Sequence, residues 1–140
     1  MRGKLYLVNV KNMDRVPSSI QYKYFIVRSC KNSDYYVRRG WSILPQISPE
    51  PELFRTYLEL KKEGNWNRET YDSIYVPWFL KQMKTDTVMR NTLNNIKAIL
   101  DTGQDVVFMC YCDTDMCHRF ILGVQYEIRG YKVIDLCKEC

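Results

Sequence analysis

DVVFMCYCDTDMCHRFILGVQYEIRGYKVIDL, residues 105–136, is the most informative stretch of the 140-residue sequence. The run 105–112 is short and nearly all apolar before it meets cysteine, the pattern of a strand covered on both faces. Residues 117–130 carry apolar side chains at helical spacing and stop at Gly130, and 131–136 read as a last strand. Just upstream, Val88, Leu93, Ile96, Ile99 and Leu100 mark an amphipathic helix from Asp86 to about Asp101, ended by Gly103. Helix, strand, helix, strand in succession implies a parallel sheet.

Working outward, KLYLVNV (4–10) and YKYFIVRSC (22–30) read as two further strands, separated by the turn-like KNMDRVPSS. Lys31 to Ser48 reads as a loop rich in Arg, Gly and Pro. Ser48-Pro49-Glu50 then resembles a helix start with Ser48 as cap, the helix running to about Lys62 and stopping at Gly64-Asn65. Tyr71, Ile74, Tyr75, Trp78 and Phe79 lie at helical spacing, and Pro77 within them predicts a kink or a fresh helix start. The expectation is α/β: a single three-layer domain over 1–140, its mostly parallel sheet flanked by helices.

A chain of this length suits one domain with a sizeable core. No stretch approaches the roughly 18 uninterrupted apolar residues of a membrane helix, and the charged N-terminus does not resemble a secretory signal. A cytoplasmic protein without membrane partners is expected, its six cysteines serving as thiols or metal ligands rather than a disulfide framework. The net charge of +5 permits anionic partners without demanding them. No cofactor is implied, and the oligomeric state is open.

Ten residues, Cys110 to Arg119, hold three cysteines, the only histidine and an arginine. Ligands of open parallel sheets bind beyond the carboxyl ends of the strands, where loops enter helix N-termini. Cys112 to Cys117 is such a loop. A thiol in the first turn of the next helix has its pKa lowered by the dipole. This suggests Cys117 as nucleophile, His118 as acid/base, and Arg119 with Arg28 as clamps for a phosphate or carboxylate, Arg28 and Cys30 sharing the crevice if their strand is a neighbour. Cys110 and Cys112 border the same site and read equally well as small core residues. Tyr35, Tyr36, Arg38, Arg39 and Trp41 form a mixture suited to stacking bases and holding phosphates, with Trp41 a substrate-binding candidate. A packed loop with solvated arginines is the simpler account.

Known thiol and metal motifs narrow the choice. Tyrosine phosphatases need Cys and Arg separated by five residues, whereas Cys112 and Arg119 are separated by six with no glycine. The His-x-Glu and Pro-Cys-x-x-Cys halves of zinc deaminases are both missing. Zinc remains an alternative through Cys110, Cys112, Cys117, His118, Cys137 and Cys140, although the terminal Cys-x-x-Cys lacks a second one.

The segments FIVRSC, RRGWSILPQISPEPEL, WNRETYDSIYVPWFLKQM and VVFMCYCDTDMCHRFILG, in this order, resemble the domain-of-unknown-function family 488. The resemblance covers most of the chain, is most specific in the Cys…Cys-His-Arg segment, and falls on Arg28, Cys110, Cys117, His118 and Arg119. It implies the fold and the location of the site rather than a reaction. Two departures stand out. Cys110-Tyr111-Cys112 replaces a Cys-x-Glu type of step, with Asp113 or Asp115 as stand-ins for the acid. The Gly-His-Ser type of turn after the first strand is also missing. The functional expectation is a cysteine-dependent enzyme, a hydrolase or transferase, acting on a small nucleotide-like anion or nucleic acid. The alternatives are a non-catalytic nucleotide or nucleic-acid binder and a zinc-stabilised interaction module.

Overall fold

In a computed structural model that describes residues 1–137, five parallel strands form one sheet in the order β3-β2-β4-β1-β5. The strands are β1 (Leu5–Asn9), β2 (Tyr22–Phe25), β3 (Trp41–Ile43), β4 (Val106–Cys110) and β5 (Val133–Asp135). β4 is buried along its whole length between β2 and β1, as its continuous apolar run requires. Its side chains alternate between two cores. Val106, Phe108 and Cys110 join the larger one, and Val107 and Met109 the smaller.

The larger core is covered by α2 (Pro51–Lys62), α4 (Val76–Thr85), α5 (Thr87–Asp101) and α6 (His118–Ile128). The smaller is closed by a 3-10 segment (Val10–Arg15) and the one-turn α1 (Ser33–Val37), which sets Tyr36 against Phe25 with ring centroids 4.7 Å apart. The chain is thus a single α/β domain of three unequal layers. Among the described residues no helix is long and apolar enough to cross a membrane.

Local chemistry sets the helix ends. Asp86 caps α5 by accepting from the Met89 N–H at 3.1 Å. Gly103 and Gly130 follow α5 and α6 with φ of 91° and 93°, a backbone state that favours glycine. A short α3 (Arg68–Thr70), opened by a capping box between Asn67 and Thr70, runs into a π-helical turn over Tyr71–Tyr75 and then α4. Pro77 lies in the first turn of α4, so the proline starts a helix as expected.

Three expectations need correction. The supposed loop 31–48 contains α1, β3 and a 3-10 turn (Pro45–Ile47). Ser48 does not cap α2. It closes the 3-10 turn by donating from Oγ to the Pro45 carbonyl at 2.6 Å, and α2 begins at Pro51 after Glu50. β2 ends at Phe25 rather than Cys30, although the Ile26 N–H still donates to the Met109 carbonyl at 2.9 Å.

Helix α6 carries the Cys-His-Arg sequence and lies on β1 and β5 through Gly123. A Cβ there would stand 2.9 Å from Leu7 Cδ1 and 3.3 Å from Val133 Cγ1. Gly123→Val is therefore expected to overpack this seam and cost about 1–3 kcal/mol in urea denaturation. Val124→Ala, on the exposed side of the same helix, should change stability by less than about 0.5 kcal/mol.

Candidate functional site

Because β2 and β4 are neighbours, the loop after β2 and the loop after β4 face each other at the carboxyl edge of the sheet. Between them and the start of α2 lies a cleft with a cavity volume of about 910 Å³. Its wall includes Ile26, Arg28, Lys31, Phe54, Arg55, Tyr57, Tyr75, Cys110, Cys112, Met116 and His118. Among the described residues three cations and no carboxylate line it, a balance that favours an anion, while Phe54, Leu58 and Tyr111 present half-exposed apolar surface at its edge.

The far rim is pinned by side chains on three elements. Gln82, buried in α4, donates to the Ser48 carbonyl at 2.9 Å and accepts from the Glu50 N–H at 2.9 Å. Trp78 Nε1 donates to Glu50 Oε1 at 2.6 Å. Arg28 reaches across the cleft from the β2 side, its Nε donating to the Pro49 carbonyl at 3.0 Å and its Nη2 to the Ser48 carbonyl at 3.4 Å.

At the other side Cys110, Cys117 and His118 converge. Cys110 Sγ and Cys117 Sγ are 2.7 Å apart, and Cys117 Sγ is 3.6 Å from His118 Nδ1. His118 Nε2 lies 2.7 Å from the Ile26 carbonyl, which accepts its proton and thereby leaves Nδ1 as the lone-pair nitrogen facing Cys117. Arg119, 1% exposed, donates from Nη1 to Cys110 Sγ at 2.8 Å and to the Cys112 carbonyl at 3.0 Å. Its Nε has no hydrogen-bond partner among the described residues. Tyr71 donates its hydroxyl to the Cys117 carbonyl at 3.1 Å.

These contacts distribute the charge. Hydrogen bonds from the Cys110 and Cys117 thiols, with added attraction from Arg119 and Lys61, outweigh burial and bring the Cys112 thiol down to about 3. Burial, reinforced by the same hydrogen bonds, pushes Cys117 well up. Burial and the hydrogen bond to Cys112 raise Cys110 as well. Burial lowers His118, which stays neutral. Desolvation opposes the Arg119 charge, but the sulfurs of Cys110 and Cys117 more than offset it and raise its pKa. Burial thus holds the Cys110 and Cys117 thiols toward the neutral form, while the less buried Cys112 is the thiol drawn toward the thiolate.

The expected lowering at Cys117 is therefore reversed. Cys117 is the N-cap of α6, but its complete burial overrides the dipole, and the thiolate character passes to Cys112, which is only partly buried. Arg119 is not on the cleft wall, because its guanidinium is committed to the sulfurs. Trp41 is corrected outright. It lies on β3 in the smaller core, 3% exposed, beneath the ammonium of Lys23. The acidic stand-ins are engaged elsewhere, Asp113 with Lys11 at 3.0 Å and Asp115 with Arg68 at 2.7 Å. Lys31, Arg55, Tyr57, Tyr75 and Gln82 were not foreseen. Gln82 alone left a trace, as a polar residue three positions after Phe79 on an apolar stripe.

Cys110, Cys117 and His118 place one donor atom each within 4.8 Å of one another. As they stand they do not fit zinc. Tetrahedral sulfurs at about 2.3 Å from the metal are about 3.8 Å apart, so the 2.7 Å pair would have to open by about 1 Å. Of the other candidate ligands, Cys137 Sγ accepts from the Asn9 N–H at 3.2 Å and lies 4.0 Å from Arg119 Nη2, whereas Cys140 falls outside the described residues.

Searches of curated proteins and of solved structures return no match. A family model described as "DUF488-N3a: Active DUF488-N3 subclade" matches residues 12–127, from the 3-10 segment after β1 to the last turn of α6. That span includes Arg28 and the whole sulfur cluster from Cys110 to Arg119. The chain belongs to the DUF488 family, through its N3a subclade.

Proposed function

We propose that the protein is a cysteine-dependent enzyme of the cytoplasm, where thiols stay reduced, acting on a nucleotide-like or nucleic-acid anion. The observation that carries this reading is the placement of Cys112. Its thiol, drawn toward the thiolate, lies on the wall of a ligand-sized cleft whose charged residues, among those described, are all cationic. The word "Active" in the family description agrees with a working site.

In this reading Arg28, Lys31 and Arg55 hold the phosphate, and Phe54, Tyr57 and Tyr111 offer aromatic surface to a base. The Cys112 thiolate attacks an electrophilic atom of the bound anion. A bond from sulfur forms as the bond to the leaving group breaks, and the leaving group takes a proton. That proton passes from Cys117 through His118 Nδ1, which stands 3.6 Å from Cys117 Sγ on a residue of the cleft wall, and the proton released by the attacking water returns to Cys117 by the same route. Attack by water on the intermediate then releases product and restores the thiolate. Cys110 and Arg119 are positioning residues, Cys110 as donor to Cys112 and Arg119 as counter-charge.

The test is a turnover screen over nucleoside phosphates and short oligonucleotides. Cys112→Ser should lower kcat by about 10³-fold or more while leaving binding in place. Arg28→Ala should raise KM about tenfold with a smaller effect on kcat. If Cys112→Ser turns over like the parent, the thiol reading falls. If nucleotides bind the parent and no member of the panel is consumed, the protein is a binder instead.

Alkylation gives an independent pH signature. A depressed thiol pKa means that the thiolate is already formed at neutral pH and is lost only when pH falls toward that lower value. Labelling of Cys112 by iodoacetamide should thus be nearly flat from about pH 5 to 8, rather than rising toward the ordinary 8.5. Because burial keeps His118 neutral, no inflection is expected near 6.5. A Cys112 profile centred near 8.5 would contradict the assignment.

A further inference from the structure

On the helical layer a second groove, lined by no residue of the cleft wall, lies between α4, α5 and α6 with a cavity volume of about 440 Å³. Each helix turns one stripe toward it. On α5 the stripe is Arg90, Leu93, Asn94 and Lys97; on α6 it is Leu122, Gln125, Tyr126 and Arg129. Both follow the spacing i, i+3, i+4, i+7 that sets side chains on one helix face. α4 adds Leu80, Met83 and Lys84. Leu122 and Tyr126 are buried in the floor, while Leu80, Met83 and Leu93 keep part of their surface open to the groove. Each of the three helices thus sets a cation beside apolar surface.

The groove supplies positive charge and little to offset it. Among the described residues no carboxylate lines it. Lys84 and Arg90 are exposed and form no ion pair with a described residue. Arg129 is exposed as well, its Nη1 donating to the Gln125 carbonyl at 2.8 Å. Lys97 has an acidic partner in Asp101 at 3.2 Å, and that carboxylate also stands 3.8 Å from Arg2. Asp86, between α4 and α5, is committed to the Met89 N–H. A complementary occupant therefore brings acid together with apolar surface.

We propose that this groove docks an acidic amphipathic helix of a partner protein, its apolar stripe on Leu80, Met83 and Leu93 and its carboxylates facing Lys84, Arg90 and Lys97. Arg90 and Lys97 are two turns apart on α5, about 10 Å along the axis. A helix laid along α5 meets them with acids at i and i+7 and covers Met83 and Leu93 with the apolar residues between. A second copy of this chain matches less well, because it brings the same cations and a net charge of +5. Nucleic acid matches less well too. An apolar floor gives phosphates no partner, and the one aromatic ring, Tyr126, is buried with its hydroxyl donated to the Leu93 carbonyl at 2.8 Å.

The probe is a labelled amphipathic peptide of about 15 residues, long enough to form a helix, with leucine on one face and glutamate on its flanks. Full-length protein is titrated into it by fluorescence anisotropy, and the site is mapped by amide NMR shifts. The glutamate peptide should bind, with shifts confined to α4, α5 and α6 along the groove. A shuffled peptide of the same composition, and one with lysine for every glutamate, should bind at least about tenfold more weakly. Lys84→Glu combined with Arg90→Glu should weaken the glutamate peptide by about tenfold and strengthen the lysine peptide, a reciprocal exchange that misfolding cannot imitate. Lys62→Glu, at the exposed end of α2, should leave binding unchanged. The inference is overturned if the glutamate peptide does not bind, binds no better than its shuffled form, or shifts amides outside the groove. It is equally overturned if an oligonucleotide or an anionic vesicle takes the groove in preference to the peptide, or if the groove amides are buried in a dimer. No residue of the cleft enters these readouts, so a failed turnover screen and a failed docking test are separate results.

Discussion

A guanidinium placed in an apolar interior must find a negative partner, because the cost of an uncompensated buried charge is several kcal/mol. Arg119 is 1% exposed, and among the described residues it meets sulfur and the carbonyl of Cys112 rather than a carboxylate. Its shortest contact is the sulfur of Cys110 at 2.8 Å, so the end of β4 and the first turn of α6 are tied together through this one side chain.

Topology delivers these groups to one place. Chain order takes the backbone from β1 past a vacant position to β2 and β3, and returns it through four helical segments to insert β4 between β2 and β1. The loop carrying Arg28 is thereby set directly beside the loop carrying the cysteines, although more than eighty residues separate them in sequence. The helices between contribute the rest of the wall: Phe54, Arg55 and Tyr57 from α2, Tyr75 from the π-helical turn, and Gln82 and Trp78 as braces behind the rim.

Much of this was legible in the sequence because it is written in periodicity. The apolar run before Cys110 announces a central strand, the Val88 to Leu100 spacing announces α5, and Gly103 and Gly130 mark where helices stop. β3 was hidden, since three residues with Ser42 in the middle, entered from a glycine, carry no alternation long enough to read. Trp41 misled for a related reason. A tryptophan among arginines and tyrosines suggests stacking on a ligand, and only the unseen strand turns it into core. The candidate cleft lies where the rule for parallel sheets expects one, but the ordering of the three thiols was not legible. A helix dipole is a local property visible from spacing, whereas the burial that overrides it at Cys117, and the donors that favour Cys112, depend on side chains brought together by the whole fold.

The tie from Arg28 to the carbonyls of Ser48 and Pro49 bears on the shape of the cleft. A cleft whose two lips are already joined by a side chain, and whose outer lip is bolted down by Gln82 and Trp78, holds its width before any ligand arrives. Those ties fix the separation of the two loops through side chains rather than through the sheet, so the shape of the cleft depends on residues far apart in sequence.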